Sequence, residues 1–404
     1  MKLSKKIKKG LKNLLGGGQE APKQEAKKPK TNKAEAKPAV NKAEDKPKES
    51  KPKKSKKELE REERARKKEE RGARIREGYV NKIASLTGWD KEYARAQMEK
   101  AKENCGISFE HYTAYHFYNI PEDKQKEYFT KGHADTLKER FNTDPELTKI
   151  IMNKVAFSQM FDKFLGRAWA DNQTVTEEEF KEKFGDVGKI IYKPQRASGG
   201  KGIEVFKFDD SNIHEVYETV TKLPEGIIEQ FVEQHPEMSK LSVNSVNTVR
   251  VVTIRTDKDI PGMEKDKVYF VYIAMRMGSG SSYTDNLHSG GLSAVVDKET
   301  GVLMTDGVDL HYNLCERHPD TGVKIKGFQI PEFDKIKEMI TEAESMMYGY
   351  FGWDVAVTVN GPVIIECNTH PGSGILQSPY VQQQKGMKYV VDPFLIGTKW
   401  ETKK

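Results

Sequence analysis

Apolar residues recur at every third or fourth position from about residue 74 to residue 165, and this spacing predicts a series of helices. After residue 185 the pattern changes to short runs rich in valine and isoleucine between turn-forming residues, which predicts strands. The predicted strands cover 189–192, 203–208, 226–232, 248–255, 267–277, 292–296, 355–359 and 363–366, and the predicted helices among them cover 211–222 and 331–351. Because strands outnumber helices and tight turns join several neighbours, the pattern favours antiparallel α+β layers over a doubly wound parallel sheet.

Residues 1–72 differ from the rest of the chain in charge and in apolar content. They hold 26 Lys and Arg residues against 12 Asp and Glu, whereas the other 332 residues hold 42 against 49. The first aromatic residue of the chain is Tyr79. A segment with so little to bury cannot offset the entropy lost on ordering, so this lysine-rich tail is predicted to be disordered. For its last part, 55–77, which is rich in Arg, Lys and Glu and has no proline, the alternative is a solvated helix.

Within the tail, the spacing predicts a short amphipathic helix at 2–15. Its apolar residues recur at helical spacing among lysines: Leu3, Ile7, Leu11, Leu14 and Leu15. Such a helix fits an anionic membrane surface, and one expectation is that residues 1–18 contact the inner face of the membrane. The equally weighted alternative is a solubilising tail, or one attracted non-specifically to nucleic acid.

Composition excludes several classes of protein. No run approaches the roughly 18–20 apolar residues that a membrane-spanning helix needs. The chain has only three cysteines in 404 residues, too few for a disulfide framework, which favours a reducing, cytoplasmic location. Its tyrosines and tryptophans are scattered rather than interleaved with basic residues, so no specific nucleic-acid partner is predicted.

The first candidate for binding chemistry is a lysine followed by a glycine-rich loop. Lys193 ends a predicted strand, and the sequence Ala-Ser-Gly-Gly-Lys-Gly follows at 197–202. Glycines let backbone N–H groups approach phosphate oxygens, and lysines add positive charge. No Gly-Lys-Ser/Thr sequence opens a helix here, so this is not a Walker loop. Taken alone, the segment fits an ordinary flexible hairpin better.

The second candidate is the run Ile-Ile-Glu-Gln-Phe-Val at 227–232. Apolar residues that lead into Glu229, Gln230 and Phe231 fit a strand between domains whose backbone meets an adenine edge. By themselves they fit a buried strand better, and only their context can decide.

The third candidate is a hairpin that carries Asp354, Glu366 and Asn368, with the turn sequence Asn-Gly-Pro at 360–362. Proline cannot donate to a strand ladder, so Pro362 is assigned to a three-residue turn. That register sets Asp354 opposite Asn368 and puts all three polar side chains on one face. A two-residue turn would put Asp354 on the opposite face.

Two carboxylates and an amide at the end of apolar strands are costly to bury unless a cation meets them. Hard oxygen donors on one face suit Mg²⁺, which typically takes one or two carboxylates together with phosphate oxygens and water. The apolar run Val363, Ile364 and Ile365 favours a buried strand. It therefore favours the metal interpretation over a solvent-exposed strand end.

The order of these elements resembles the ATP-grasp superfamily. Four segments resemble, more narrowly, the sugar-transfer-associated ATP-grasp proteins: Val-Asn-Thr-Val-Arg-Val-Val-Thr at 246–253, His-Pro-Asp-Thr-Gly at 318–322, Gly-Trp-Asp at 352–354 and Glu-Cys-Asn-Thr-His-Pro-Gly at 366–372. The resemblance covers about 153–393 and implies an ATP-grasp fold, in which two α+β subdomains clasp ATP. The predicted organisation is the tail at 1–72, a helical region at 73–150, and the N- and C-terminal subdomains at 151–225 and 226–400.

The resemblance implies which residues bind ATP. Those for the phosphates are two lysines and the glycine-rich loop: Lys154, Lys193, Ser198, Gly199, Gly200 and Gly202. Those for the adenine are Glu229, Gln230 and Phe231. The ribose is implied to contact Glu237, with His235 as the competing candidate.

The resemblance also implies catalytic and metal-binding residues. The catalytic candidates face the transferred phosphoryl group or lie in the loop near the acceptor: Arg250, Arg276 and Asn286. The implied ligands of Mg²⁺ are Asp354, Glu366 and Asn368. The implied cofactors are therefore ATP and Mg²⁺.

The activity that the resemblance implies is ADP-forming ligation. A carboxylate oxygen attacks the γ-phosphorus, and an amine or a sugar-linked acceptor then displaces phosphate from the acyl phosphate. The implied partners are a small-molecule carboxylate and that acceptor, in the modification of extracellular polysaccharide or cell-surface glycan. The alternatives are a kinase on the same scaffold and a non-catalytic nucleotide-binding protein tethered by its basic tail. The full set of site residues argues against the last.

Overall fold

The computed structural model describes residues 55–197, 199–281, 284–381 and 383–401. Ser198, the predicted helix at 2–15 and most of the predicted disordered tail lie outside these residues. The described chain is a mixed α+β protein, which confirms the predicted fold class. None of its helices combines the length and the apolar character needed to cross a bilayer.

The first described element is a long, highly charged helix, α1 (Lys56–Thr87). The part of α1 as far as Gly78 belongs to a compact unit separate from the one that begins at Tyr79. Its exposed side chains form ion pairs one turn apart, such as Lys67 Nζ with Glu63 Oε1 at 2.7 Å. Pairs of this kind support the exposed part of the helix up to Gly78, whereas Val80 and Ile83 in its last turns are buried.

The next part of the chain is helical, as the spacing of its apolar residues predicts. Its helices are α2 (Lys91–Cys105), α3 (Phe109–Ala114), α4 (Glu122–Gln125), α5 (Lys131–Phe141), α6 (Pro145–Met152) and α7 (Lys154–Phe161). The carboxylate of Asp144 accepts from the backbone N–H groups of Glu146 and Leu147 and so caps α6. The residues around α2 and α3 pack into a core of their own, rich in tyrosine and phenylalanine.

A four-stranded antiparallel sheet follows, which we call the small sheet. Its strands are β1 (Trp169–Asp171), β2 (Lys189–Pro194), β3 (Glu204–Lys207) and β4 (Gly226–Gln230), in the order β1-β4-β2-β3. Two helices, α8 (Glu177–Phe184) and α9 (Ile213–Thr221), share its apolar core. Because β4 pairs with β1 and β2, the small sheet extends to Gln230, past the predicted subdomain boundary at 225.

The remaining strands form a seven-stranded antiparallel sheet, the large sheet, in the order β11-β10-β5-β6-β7-β8-β9. They are β5 (Thr248–Arg255), β6 (Tyr269–Met277), β7 (Leu292–Val296), β8 (Gly307–Val308), β9 (Leu314–Cys315), β10 (Gly349–Thr358) and β11 (Gly361–Asn368). The helices in this part of the chain are α10 (Pro236–Ser239), α11 (Phe333–Glu344) and α12 (Gly374–Val381).

Strand β5 shows how the large sheet is covered on both faces. Val249 and Val251 pack in one core with residues of α7 and α11, whereas Val252 and Ile254 pack in a second core with residues of α5. A strand with two covered faces buries its residues at every position rather than at alternate ones. All eight residues of β5 are therefore buried, including two threonines and two arginines.

The predicted helix over 331–351 is wrong at its C-terminal end. Helix α11 ends at Glu344, and β10 begins at Gly349. Tyr350 and Phe351 pair there with Ile254 and Thr253 of β5. The periodicity of the local sequence cannot reveal this pairing, because the partner strand lies far away along the chain.

Candidate nucleotide-binding site

The small and large sheets face each other across a cleft with about 990 Å³ of space between atoms, including the part open to solvent. The predicted site residues that line the cleft are Lys154, Lys193, Gly199, Gly200, Gln230, Phe231, Arg276, Asn286, Asp354 and Glu366. Three further ones line an adjoining cavity: Glu229, Arg250 and Asn368.

The glycine-rich loop lies against the segment that holds Asn286. Gly199, Gly200 and Gly202 have φ of 66°, 77° and 69°, in the left-handed region that only glycine adopts without strain. A Cβ on Gly200 would lie 2.8 Å from Cγ2 of Thr284, and one on Gly199 would lie 3.2 Å from Nδ2 of Asn286. Both the backbone conformation and the close approach therefore require glycine in this loop.

Lys154 points from the start of α7 towards that loop. The side chain of Asn153 caps the helix by accepting from the N–H of Ala156 at 2.9 Å. This cap makes Lys154 the first residue of α7. Its Nζ lies 3.4 Å from the carbonyl oxygen of Gln195 and 3.3 Å from that of Ala197. Burial lowers the pKa of Lys154. Its ammonium group is therefore held at the cleft by weak contacts to neutral carbonyls.

The side chain of Glu229 lies below the cleft surface, where the sequence predicts only an adenine contact. It is 3% exposed and forms ion pairs with Lys193 and with Arg167, whose Nε lies 2.9 Å from Oε1. Burial alone would raise the pKa of Glu229, but the charges of Arg167 and Lys193 outweigh burial and lower it to about 2. Glu229 is therefore ionised and holds Lys193 at the cleft.

Arg167 was missed by the sequence analysis because no motif surrounds it. Its guanidinium joins the two sheets: one side bonds Glu229 of the small sheet, and Nη1 donates to the carbonyl of Ile364 in the large sheet at 2.8 Å. The side chain is only 3% exposed. Because a buried guanidinium is costly without partners, these bonds fix the two walls of the cleft to each other.

Gln230 and Phe231, which are predicted to meet an adenine edge, line the cleft. The N–H of Phe231 donates to the carbonyl of Lys189 at 3.1 Å, and Nζ of Lys189 lies 3.2 Å from the centre of the Phe231 ring. The predicted ribose contacts lie elsewhere. Glu237 is exposed and paired with Lys240, and neither it nor His235 is among the described residues that line the cleft.

The hairpin of β10 and β11 has a different turn from the predicted one. Thr358 pairs with Gly361, so the turn has two residues rather than three. Pro362 lies within β11, opposite Val357. This is possible because β11 is an edge strand, where a proline needs no partner for the missing N–H.

A β-bulge in β11 brings Asp354 and Glu366 onto the same face of the hairpin, as the predicted register also does. Ile365 is the extra residue of β11, and beyond it Asp354 lies opposite Glu366, while Asn368 lies opposite Gly352. The predicted pairing of Asp354 with Asn368 is therefore wrong. The two carboxylates nevertheless meet on one face, directly across the two strands.

Asp354 is 2% exposed and is held by both arginines of the predicted site. Arg250 bonds it through Nε and through Nη2, the latter at 2.9 Å, and Nη1 of Arg276 donates to Oδ2 at 2.7 Å. Burial alone would raise the pKa of Asp354, but the charges of the two arginines outweigh it and keep the pKa well below its ordinary value. Asp354 is therefore ionised.

Asp285 is a second site residue that the sequence analysis missed. Its carboxylate lies 2.9 Å from Nη2 of Arg276 and accepts from the N–H of Thr248 at 3.0 Å and from the hydroxyl of Thr248. Burial raises its pKa, and the charge of Arg276 offsets only part of that effect. Its position beside Asn286 in the predicted loop was the one signal available from the sequence.

Glu366 differs from the other carboxylates because its side chain is exposed to the cleft. Partial desolvation and the neighbouring Asp354 raise the pKa of Glu366. Nδ2 of Asn368 donates to its Oε1 at 3.2 Å. Among the described residues no group of three His, Cys, Asp or Glu side chains is arranged for a metal. Glu366 and Asn368 offer a carboxylate and an amide oxygen, which suit Mg²⁺ with phosphate and water as its remaining ligands. Asp354, whose oxygens bond the two arginines, lies directly opposite Glu366.

Similar solved structures include several synthetases and synthases of low sequence identity. D-alanyl-alanine synthetase A from Vibrio cholerae has 16% identity and a TM-score of 0.36, covering 61% of this chain and 63% of that one. N5-carboxyaminoimidazole synthetase from Staphylococcus aureus, complexed with ADP, has 9% identity and a TM-score of 0.35, covering 59% and 53%. Carboxyaminoimidazole ribonucleotide synthase from Aspergillus clavatus, complexed with ATP, has 15% identity and a TM-score of 0.32, covering 55% and 45%.

The chain thus spans between 45% and 63% of the length of these three proteins. No match was found among curated proteins. The sequence profile described as sugar-transfer associated ATP-grasp matches residues 132–389. This region is more than half of the chain and contains every predicted site residue. The chain therefore belongs to the sugar-transfer associated ATP-grasp family.

Proposed function

We propose that the protein is an Mg²⁺-ATP-dependent ligase that activates a carboxylate and joins it to an amine or to a sugar-linked acceptor. The observation that carries this proposal is the placement of cations and oxygen donors on opposite walls of one cleft. Lys154 and Lys193 lie on the wall of the small sheet, and Asp354 and Glu366 lie on the wall of the large sheet. A nucleoside triphosphate bound with a divalent cation needs both kinds of group.

The side chains of the chain have distinct tasks in binding ATP. Lys154 and Lys193 bind phosphate oxygens, and the backbone N–H groups of the glycine-rich loop cover them. Glu366 and Asn368, with Asp354, are the groups that would hold Mg²⁺. When bound, the metal neutralises phosphate charge and makes the γ-phosphorus more susceptible to attack. The adenine lies against Gln230 and Phe231.

The proposed reaction has two steps. A carboxylate oxygen of the substrate attacks the γ-phosphorus, the bond from phosphorus to the bridging oxygen breaks, and ADP leaves. The nitrogen or oxygen of the acceptor then attacks the carbonyl carbon of the acyl phosphate, phosphate leaves, and the acceptor loses a proton to solvent or to a base. Such chemistry depends mainly on positioning and charge stabilisation, which Arg276 and Asn286 supply at the phosphate end.

We also propose that the product belongs to a polysaccharide or a cell-surface glycan. The support for this is the description of the family, which associates it with sugar transfer.

The ligase proposal can be tested by incubating the protein with ATP, Mg²⁺ and pooled amino acids and uronic acids, and by measuring the products formed from ATP. Acceptor-dependent release of ADP and phosphate supports a ligase, whereas ADP with a stable phosphorylated product indicates a kinase. Failure of ATP to bind, measured by calorimetry, would contradict both.

A further inference from the structure

A second cavity adjoins the nucleotide cleft on the side of the helices that precede β1. It lies between the last turns of α1, α3 and the segment after β11, with about 2140 Å³ of space between atoms, including the part open to solvent. Arg276 and Asn286 line both this cavity and the cleft. His370 lines it as well, and also borders the space around Glu366 and Asn368. A group bound in the second cavity is therefore next to the phosphate end of the cleft.

The wall of the second cavity is rich in planar rings with polar edges. These are Tyr79, His111, His116, His311, Tyr312 and His370. Rings of this kind offer an apolar face together with hydrogen-bonding atoms at the edge. A saccharide presents the complementary surfaces, because its C–H faces pack on rings and its hydroxyl groups donate and accept hydrogen bonds.

The charges around the second cavity are largely paired with one another. Its two arginines bond to Asp354, and Lys131 forms an ion pair with Asp135 behind the wall. The two remaining charged residues of the lining, Lys82 and Glu110, have opposite signs. A strongly anionic ligand needs cations that are not already neutralised. The wall therefore favours an uncharged, hydroxyl-rich ligand.

We propose that the second cavity binds the acceptor of the reaction and that this acceptor is a saccharide. The inference rests on the proposed ligase function, because it assigns the second substrate of that reaction to a place beside the first. The proposal also assigns a role in acceptor binding to the helices that precede β1, because α3 and the last turns of α1 form much of the wall. The acceptor atom enters the reaction from the side of Arg276 and Asn286.

Two substitutions test this proposal without disturbing a core. His311 is exposed, so His311→Ala removes one ring without leaving a buried cavity. A Cβ on Gly372 meets no atom within 4 Å, so Gly372→Leu adds a side chain to the open space. The matched control is His214→Ala, which removes an exposed ring of α9 that pairs with Glu177 and lines neither cavity.

Saturation-transfer difference NMR with N-acetylglucosamine, galactose and lactose as probes measures binding to the full chain, with glutamate as the anionic comparison and Mg·ADP present. We expect saccharide signals in the wild type and in His214→Ala, a several-fold loss in His311→Ala and a loss of at least tenfold in Gly372→Leu. ATP affinity, measured by calorimetry, should stay within about twofold in every variant.

The possible failures separate this inference from the proposed function. If ATP binds but no saccharide does, or if glutamate alone gives a signal, the saccharide assignment is overturned and the ligase proposal stands. Saccharide binding that persists unchanged in Gly372→Leu also overturns the assignment to this cavity. If the wild type binds no ATP, the ligase proposal fails, and this inference fails with it.

Discussion

The two walls of the cleft bury a charged group in the same way but differ in their remaining charge. Each buries one ionised carboxylate between two cations: Glu229 between Lys193 and Arg167, and Asp354 between Arg250 and Arg276. Without such partners, either carboxylate would be too costly to bury in its charged form. Both acids lie almost fully out of contact with solvent, at 3% and 2% exposure.

The charge left over on each wall is opposite in sign. On the wall of the small sheet, Lys154 adds a third cation to the two that surround Glu229. On the wall of the large sheet, Asp285 and Glu366 bring the number of carboxylates to three against two arginines. The first wall therefore attracts phosphate and the second attracts a cation. Ion pairs within each wall make burial of the charged groups possible, and the net charge of each wall then determines which ligand it attracts.

The largest expected effect comes from removing the exposed carboxylate of the second wall. In Glu366→Ala we expect ATP turnover to fall at least about 100-fold, a loss of roughly 3 kcal/mol of transition-state stabilisation, because Mg²⁺ loses a ligand. The thermal midpoint should change little, since Glu366 is exposed. Release of ADP measures the effect, and Glu316→Ala, another exposed glutamate, should retain activity. Turnover retained in Glu366→Ala would remove this residue from the metal site.

Breaking the buried pair on the same wall should destabilise the fold. In Asp354→Asn the two arginines lose their shared anion, and we expect about 3–5 kcal/mol less free energy of unfolding. Urea denaturation measures the change, with the exposed Asp257→Asn as the control. Because the pKa of Asp354 is lowered in the folded protein, its contribution is present above the unfolded pKa and is lost as the pH falls through the folded one. A loss below 1 kcal/mol at neutral pH would contradict this account.

On the first wall we expect a smaller loss of stability. In Arg167→Ala, Glu229 keeps Lys193 as a partner, so we expect the free energy of unfolding to fall by about 2–3 kcal/mol, the value of charged hydrogen bonds. ATP affinity should also fall several-fold, because Glu229, which holds Lys193 at the cleft, loses one of its two cationic partners. Arg317→Ala, which removes an exposed arginine bonded to the carbonyl of Gly322, is the control. Equal effects of the two substitutions would show that Arg167 does not join the walls.

Another buried carboxylate, Glu344, sharpens the comparison because no cation in the described part of the chain bonds its side chain. It is fully buried and accepts from Thr253 and Trp353, while Oε2 has no hydrogen-bond partner. Burial raises its pKa to about 7. Stability from this group is therefore present below its unfolded pKa and is lost as the pH rises towards 7.

In Glu344→Gln we expect this pH dependence to disappear. The wild type should lose on the order of 2 kcal/mol of unfolding free energy between about pH 5 and pH 8 through this group, and the variant should lose less. Denaturant melts at several pH values measure the difference. Glu338→Gln, an exposed position on α11, should leave the wild-type slope unchanged. A slope equally steep in Glu344→Gln would assign the dependence to other groups.

The sequence predicts those features of the fold and of the site that depend only on residues close together in the chain. The glycine-rich loop is recognisable because glycine is needed wherever the backbone has positive φ, and Gly199 and Gly200 show this requirement. The α+β class is recognisable because the spacing of apolar residues differs between the helical part and the strands. The polar residues Asp354 and Glu366 are recognisable because they interrupt apolar strands.

What the sequence could not predict depends on contacts between distant segments. Arg167 and Glu229 meet only because β1 pairs with β4, and neither residue has a local signal for the other. The turn of the last hairpin was assigned from Pro362, but the position of β11 at the edge of the sheet removes the constraint that proline imposes elsewhere. The bulge at Ile365 has no signature in the sequence, although it decides which residue lies opposite Asp354.

The bond from Arg167 to the carbonyl of Ile364 bears on how readily the two sheets can separate. Any motion that draws the small sheet away from the large sheet must break it or carry it along. A hydrogen bond from a charged donor contributes about 1.5–3 kcal/mol. A conformation in which the two sheets are separated and this bond is broken would thus be populated about ten- to a hundredfold less than one that keeps the bond. Under the proposed ligase function, release of the products would then depend on a single guanidinium.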